Sequence, residues 1–381
     1  MENLQGLTTL KIYQADAYKH DEMNKEAEEF RRITMKVLTM QLNSVSVMDI
    51  VAYGGAAIGS IVALQGYFTG RVSLYGVICI VLLSSEFFIP LRLLGSFFHI
   101  AMNGIAASGK IFRLLDLPTL EKKEEKIQDN TIDVVVSNLN FGYEENRQIL
   151  HDININIKQG QFVSIVGESG SGKSTIAKLI VGLAQGYEGN ICVESKERKH
   201  LDDVSFYKHV MYVTHKPMIF KGSVRENLAI AKSNLTDMDM LDALKKVKLY
   251  DFIMAQGGLD MHLIEGGNNL SGGQKQRLSI ARALLSDRAM YIFDEATSNI
   301  DMESEDAILS LIYEMAKTKT ILMITHRLST VVQSDCMYVL DHGYCKESGT
   351  HETLMNANKL YALMFRKQQE LETFYGGEQH A

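Results

Sequence analysis

Eight residues constrain this chain more than any others: Gly167-Glu-Ser-Gly-Ser-Gly172-Lys173-Ser174. The apolar run Phe162-Val-Ser-Ile-Val166 precedes them and Thr175-Ile-Ala-Lys-Leu-Ile-Val-Gly-Leu follows. The pattern therefore lies between a strand and a helix, the context a phosphate-binding loop requires. Glycines there let backbone N–H groups turn inward around phosphate oxygens, and the helix N-terminus adds a favourable dipole. Lys173 is placed to reach β- and γ-phosphates and Ser174 to ligate Mg²⁺. Gly167, Glu168, Ser169, Gly170, Ser171, Gly172, Lys173, Ser174 and Thr175 are the expected nucleotide-binding residues.

Beyond residue 130, short β-branched runs alternate with helical patterns, which predicts an α/β domain with a mostly parallel sheet. Two further strands end in reactive side chains. Ala289-Met-Tyr-Ile-Phe293 runs into Asp294-Glu295, and Thr320-Ile-Leu-Met-Ile-Thr325 runs into His326. Ligands of open parallel sheets bind beyond the carboxyl ends of strands, so these side chains should converge on the nucleotide. Asp294 suits Mg²⁺ binding, directly or through an intervening water, and Glu295 suits polarising an attacking water. His326 by itself reads better as an ordinary hydrogen-bonded histidine.

Leu270-Ser271-Gly272-Gly273-Gln274 opens a helix with an S-x-x-Q capping box. A glycine-rich, serine-capped helix start is a second anion site. Two phosphate sites on one chain make sense if each serine-capped helix completes the cradle of a partner chain.

The first part of the chain has another character. Ile50–Gly70 carries no charge, and a second apolar stretch runs on from Val72, broken by Glu86 and Arg92. About 20 apolar residues suffice for a membrane helix. Two spans are expected, at about 46–70 and 72–100, within a membrane region at 44–110. The second needs Glu86 to face protein or a polar cavity. Arg31, Arg32 and Lys36 lie before the first span, Lys110 and Arg113 after the second, and Arg71 alone in the turn. Both outer ends are thus expected in the cytosol. Residues 1–43 show no signal peptide. They hold Ala27, Phe30, Ile33, Val37 and Met40 at helical spacing, an amphipathic cytosolic extension. The charged segment within 111–130 reads as a linker to a nucleotide-binding domain at 131–381.

Acidic residues exceed basic ones by 46 to 39, a net charge of −7, which argues against a nucleic-acid partner. The four cysteines form no CxxC pair and read as free thiols.

These motifs, in this order, resemble the ATP-binding cassette (ABC) transporters, whose signature is LSGGQ. The resemblance covers roughly residues 129–365 and implies a P-loop NTPase cassette with a helical subdomain, preceded by an α-helical membrane region. It implies ATP and Mg²⁺ as cofactors, ATP hydrolysis, and a second half-transporter, identical or different, as partner. Tyr143 matches the aromatic that stacks on adenine. His215 in Val213-Thr-His215-Lys-Pro-Met-Ile-Phe220 falls where the family has a metal-binding glutamine, and Asp301 in Ser298-Asn-Ile-Asp301 matches the D-loop. His326 matches the switch histidine. Ser271 and Gly273 match residues that contact the γ-phosphate across the dimer, within Ser271, Gly272, Gly273 and Gln274. By this resemblance Lys173, Glu295 and His326 are catalytic, and Ser174, Asp294 and His215 hold the metal.

Membrane spans N-terminal to the cassette resemble exporters. Residues 2–11, 86–92 and 102–107 resemble the thiol exporters of cytochrome bd assembly (CydD/CydC type). That resemblance implies a multi-pass protein of the cell membrane with its cassette in the cytoplasm, touching lipid and exporting a small thiol such as cysteine or glutathione. Those exporters carry six spans, so the sequence is expected to be N-terminally truncated, as a truncated product or a mis-called start, or else a partner-dependent half. The alternatives are a multidrug, lipid or peptide exporter half and a soluble ABC ATPase.

Overall fold

The structure is a computed structural model that describes residues 6–117, 123–127, 132–144, 147–297, 300 and 302–377. The chain divides into two units, Met1–Leu120 and Glu121–Ala381.

The first unit contains α1 (Leu7–Ile12), α2 (Asp16–Phe68) and α3 (Leu74–Leu115). No proline or cap interrupts α2, whose 53 residues rise about 80 Å at roughly 1.5 Å each. The amphipathic extension and the first apolar run are therefore one continuous helix. The chain reverses through Gly70, at φ +71°, and Ser73 then caps α3 by accepting from the Gly76 N–H. Small residues let α2 and α3 approach closely: Ala52 and Ala63 are buried, and Gly55 faces the Phe88 ring. The large outward side chains Ile50, Ile58 and Phe68 stay exposed.

Among the described residues, α2 alone is long and apolar enough to cross a membrane. The second expected span, 72–100, falls almost wholly within α3. The apolar stretch after the turn is the shorter Leu74–Pro90, while α3 itself continues unbroken through Pro90 to Leu115. Glu86 is exposed, and the Arg92 side chain lies outside the described residues.

The expected linker at 111–130 is described only in part, at 111–117 and 123–127. Its first part finishes α3, and residues 123–127 belong to the second unit. Glu125 bridges to Leu201, the Ile127 N–H donates to Ser205 Oγ at 3.0 Å, and Ile127 is buried.

The second unit is the α/β domain. Its strands are β1 (Val134–Glu144), β2 (Arg147–Ile157), β3 (Phe162–Gly167), β4 (Glu188–Val193), β5 (Lys196–Glu197), β6 (Val210–Val213), β7 (Gly222–Ser223), β8 (His262–Leu263), β9 (Met290–Asp294), β10 (Thr320–Thr325), β11 (Cys336–Asp341) and β12 (Tyr344–Gly349). Its helices are α4 (Lys173–Val181), α5 (Asp203–Tyr207), α6 (Val224–Ala229), α7 (Asp237–Lys246), α8 (Tyr250–Ala255), α9 (Gly272–Leu285), α10 (Met302–Ala316), α11 (His351–Ala357) and α12 (Leu360–Gly377).

A six-stranded sheet runs β12-β11-β3-β10-β9-β6, parallel except for β12. Every residue of β3, β9 and β10 is buried, because both faces of this sheet are covered. One core joins it to α4 and the antiparallel sheet β2-β1-β4-β5. The other joins it to α6–α9, the expected helical subdomain. Capping boxes at Ser223/Glu226, Thr236/Asp239 and Ser271/Gln274 start α6, α7 and α9.

Candidate nucleotide site

The phosphate loop turns directly from β3 into α4. Two of its glycines are required by geometry. A Cβ on Gly167 would lie 2.2 Å from the Leu340 carbonyl oxygen, and one on Gly172 2.6 Å from Leu150 Cδ2, with φ at +152° and +99°. The Ser171 N–H donates to Glu168 O at 3.2 Å, which closes the loop. Lys173 is buried and folded back along it. Its Nζ donates to the carbonyl oxygens of Gly167, at 2.9 Å, and Glu168, at 2.6 Å. Burial lowers the pKa of this ammonium, while Glu295, Asp294 and Glu168 pull it back upward. A phosphate offers stronger, charged acceptors than two carbonyls, so the lysine is poised to exchange partners.

Across the sheet, Ser174 Oγ donates to Asp294 Oδ1 at 2.6 Å. The other Asp294 oxygen accepts from the Tyr212 hydroxyl at 2.8 Å, and Asp294 is buried. Burial, together with the adjoining Asp294 charge, pushes the Tyr212 phenol well up, so it remains a donor. Ser174 and Asp294 thus present adjacent hard oxygen donors. That set fits Mg²⁺, which takes one or two protein ligands and completes its shell with phosphates and water.

Glu295 adopts φ +50°, and its N–H donates to Ile324 O at 2.9 Å. This turn brings its Oε1 to 3.3 Å from His326 Nδ1 at the end of the neighbouring strand. His215 follows β6 and is half-buried. The loop is pinned on either side of it: Gln276 Nε2 donates to Thr214 O at 3.1 Å, and Thr214 Oγ1 donates to Lys216 O at 3.1 Å.

Tyr143 is 57% exposed and stands edge-on to Phe141, with ring centroids 4.9 Å apart, leaving a face open for stacking. Ser271 is exposed at the start of α9, and its capping box is formed in both directions, at 3.2 and 2.8 Å. Asp301 lies outside the described residues.

Sequence reasoning missed Tyr212 and Gln276. Their partners lie 82 and 62 residues away, at the ends of strands or loops whose adjacency depends on sheet order. A tyrosine three residues before His215 was the available hint for the first.

The fold and this cluster define a phosphate-loop nucleotide-binding unit with an attached helical subdomain. Residues 150–298 match the ABC transporter family. The chain is 52% identical over 375 residues to an uncharacterized ABC transporter ATP-binding protein of Haemophilus influenzae, covering 98% of this chain and 67% of that protein. It is 31% identical to an ATP-dependent lipid A-core flippase of Saccharophagus degradans, over 96% of this chain and 62% of the flippase. It is 28% identical to the glutathione/L-cysteine transport system ATP-binding/permease protein CydD of H. influenzae, over 98% and 65%. The structure of a bacterial Atm1-family ABC exporter with ATP bound superposes with a TM-score of 0.84 at 28% identity, over 96% of this chain and 65% of that one. The chain belongs to the ABC transporter family, with the exporter-type arrangement. Its cassette is an ATP-binding domain, and that family membership implies ATP hydrolysis. The chain spans between 62% and 67% of the length of these relatives.

Proposed function

We propose that the chain is the ATP-hydrolysing part of a membrane exporter, working as one half of a two-chain transporter with its cassette in the cytoplasm. The observation that carries this reading is the pairing of Ser174 with Asp294, with Glu295 and His326 at the end of the same sheet. In this reading Tyr143 stacks on the adenine, and the loop from Gly167 to Thr175 encloses the phosphates. Lys173 leaves its two carbonyl partners for the β- and γ-phosphate oxygens. Ser174, Asp294 and His215 would hold Mg²⁺, which would neutralise charge building on the phosphates. Glu295 takes a proton from the attacking water, and His326 orients Glu295 and the γ-phosphate. The exposed Ser271–Gln274 helix start and Asp301 serve the partner's nucleotide.

The membrane unit supports an exporter on physical grounds. Its two long helices bury a narrow strip of small residues against each other and leave Ile50, Ile58 and Phe68 exposed, as lipid or further helices require. This supports a multi-pass protein of the cell membrane. For the exported solute we propose a small thiol, cysteine or glutathione, from the resemblance of residues 2–11, 86–92 and 102–107. A lipid is the second reading, favoured by the likeness to the lipid A-core flippase.

Stimulated ATP turnover separates the two. The chain, reconstituted in vesicles, is assayed with glutathione, with cysteine and with lipid A. Stimulation by a thiol alone supports the first reading and stimulation by lipid A alone the second. No turnover under any condition contradicts the ATP-driven function itself.

A further inference from the structure

The switch-histidine loop is held from outside by a residue far along the chain. Gln368 lies on α12, and its single amide makes two opposed contacts: Nε2 donates to His326 O, and Oε1 accepts from the Leu328 N–H at 2.8 Å. These bonds bracket Arg327 and fix the backbone on both sides of the His326 side chain. No charged or hydroxyl side chain of similar reach offers a fixed donor and a fixed acceptor at one end.

The helix carrying Gln368 is well anchored. Tyr361 and Phe365 are buried, Tyr361 pairs its hydroxyl with His351 Nδ1 at 2.7 Å, and the Tyr361 N–H donates to Glu347 Oε1 at 3.2 Å. Gln368 follows Phe365 by three residues, so it projects from the same face of the helix. Within the loop itself, the Arg327 N–H donates to Thr325 Oγ1 and Thr330 Oγ1 donates to Arg327 O, at 2.9 and 2.7 Å. The His326 ring is 47% exposed, so packing does little to aim it and backbone placement does most.

We propose that Gln368 is a positioning residue for hydrolysis: it holds the backbone around His326 so that the imidazole stays in reach of Glu295. This inference rests on the reading of His326 as a residue of the ATP site. It also gives α12 a part in turnover, since any partner or mutation that lifts this helix would release the loop.

The test uses the full chain and compares ATP turnover, nucleotide affinity and thermal stability for Q368A, Q368E, H326A and the Q368A/H326A pair. Q368A should lower kcat about tenfold, the order expected when contacting groups are uncoupled, and leave KM for ATP and nucleotide affinity unchanged. In the H326A background the same change should have no further effect. Q368E should recover relative to the unmodified chain as pH falls, because a protonated carboxyl regains both donor and acceptor, whereas the Q368A ratio should stay flat. That pH contrast holds even if Q368A also lowers the melting temperature. Unchanged kcat in Q368A, or losses that multiply in the double variant, would overturn the proposal. Normal turnover in H326A would instead remove the histidine assignment on which it rests.

Discussion

Ser174 Oγ and Asp294 Oδ1 stand 2.6 Å apart although 120 residues separate them in sequence. The contact joins the first turn of the helix after the phosphate loop to the end of β9. It places two hard oxygen donors side by side, the arrangement that the proposed Mg²⁺ site requires.

Tyr212 completes that arrangement by donating to the second Asp294 oxygen. Tyr212→Phe leaves the carboxylate free to rotate. Mg²⁺ should then bind on the order of tenfold more weakly, the usual effect of losing a hydrogen bond to a metal ligand. Titrating Mg²⁺ into the chain with a fluorescent ATP analogue measures this. An unchanged midpoint would show that Ser174 and the phosphates suffice to orient Asp294.

Lys173 is the buried cation of the phosphate loop. Lys173→Ala removes the charge facing the β- and γ-phosphates and should reduce ATP turnover on the order of 10²-fold or more. Phosphate release at saturating ATP is the readout. Near-normal turnover would take the loop out of the mechanism.

Glu295→Gln preserves shape and hydrogen-bonding reach but cannot act as a base. The variant should bind Mg-ATP with affinity close to that of the unmodified chain while hydrolysis nearly stops. Retention of γ-labelled ATP after rapid gel filtration tests this. Recovery of labelled phosphate at the normal rate would assign the base elsewhere.

Stability should respond to acid through Asp203. Its carboxyl receives Arg198, at 2.7 Å, and Lys123, at 3.1 Å. Burial pushes the carboxyl pKa up, but the Arg198 and Lys123 hydrogen bonds outweigh it and hold it below its ordinary value. A depressed carboxyl pKa adds stability that is present above the ordinary carboxylate range and lost as pH falls through the folded-state value. Asp203→Asn should therefore lower the melting temperature at neutral pH and flatten its fall in acid. Parallel melting curves across pH would show that the carboxylate contributes nothing.

The local parts of this site were legible because each depends on contiguous residues. The phosphate loop, the acid pair after β9 and the Ser271 capping box are short patterns whose geometry follows from turn and helix-start chemistry. What remained hidden depends on long-range pairing. Nothing local states that β3 lies between β11 and β10, or that β6 lies beside β9 and so delivers Tyr212 to Asp294. Gln368 stands 42 residues from the backbone it holds. Arg198 is another case: an arginine reads as surface, yet it is 1% exposed because it caps the carbonyls of Ile180 and Val181 at the end of α4. In the N-terminal unit the uncharged run from Ile50 was plain, but the unbroken continuation of α3 through Pro90 to Leu115 was not.

The central claim is that the nucleotide site is shared between two chains, the Ser271 helix start of one completing the Lys173 loop of the other. Complementation tests it most directly. Chains carrying Ser271→Arg and chains carrying Lys173→Ala should each be nearly inactive alone. Mixed in equal amounts under conditions that allow exchange, they form pairs holding one intact loop opposite one intact helix start. Phosphate release from the mixture should then rise clearly above the sum of the two parents. A mixture no more active than its parents, with mixed pairs demonstrated by differential tags, would contradict the account.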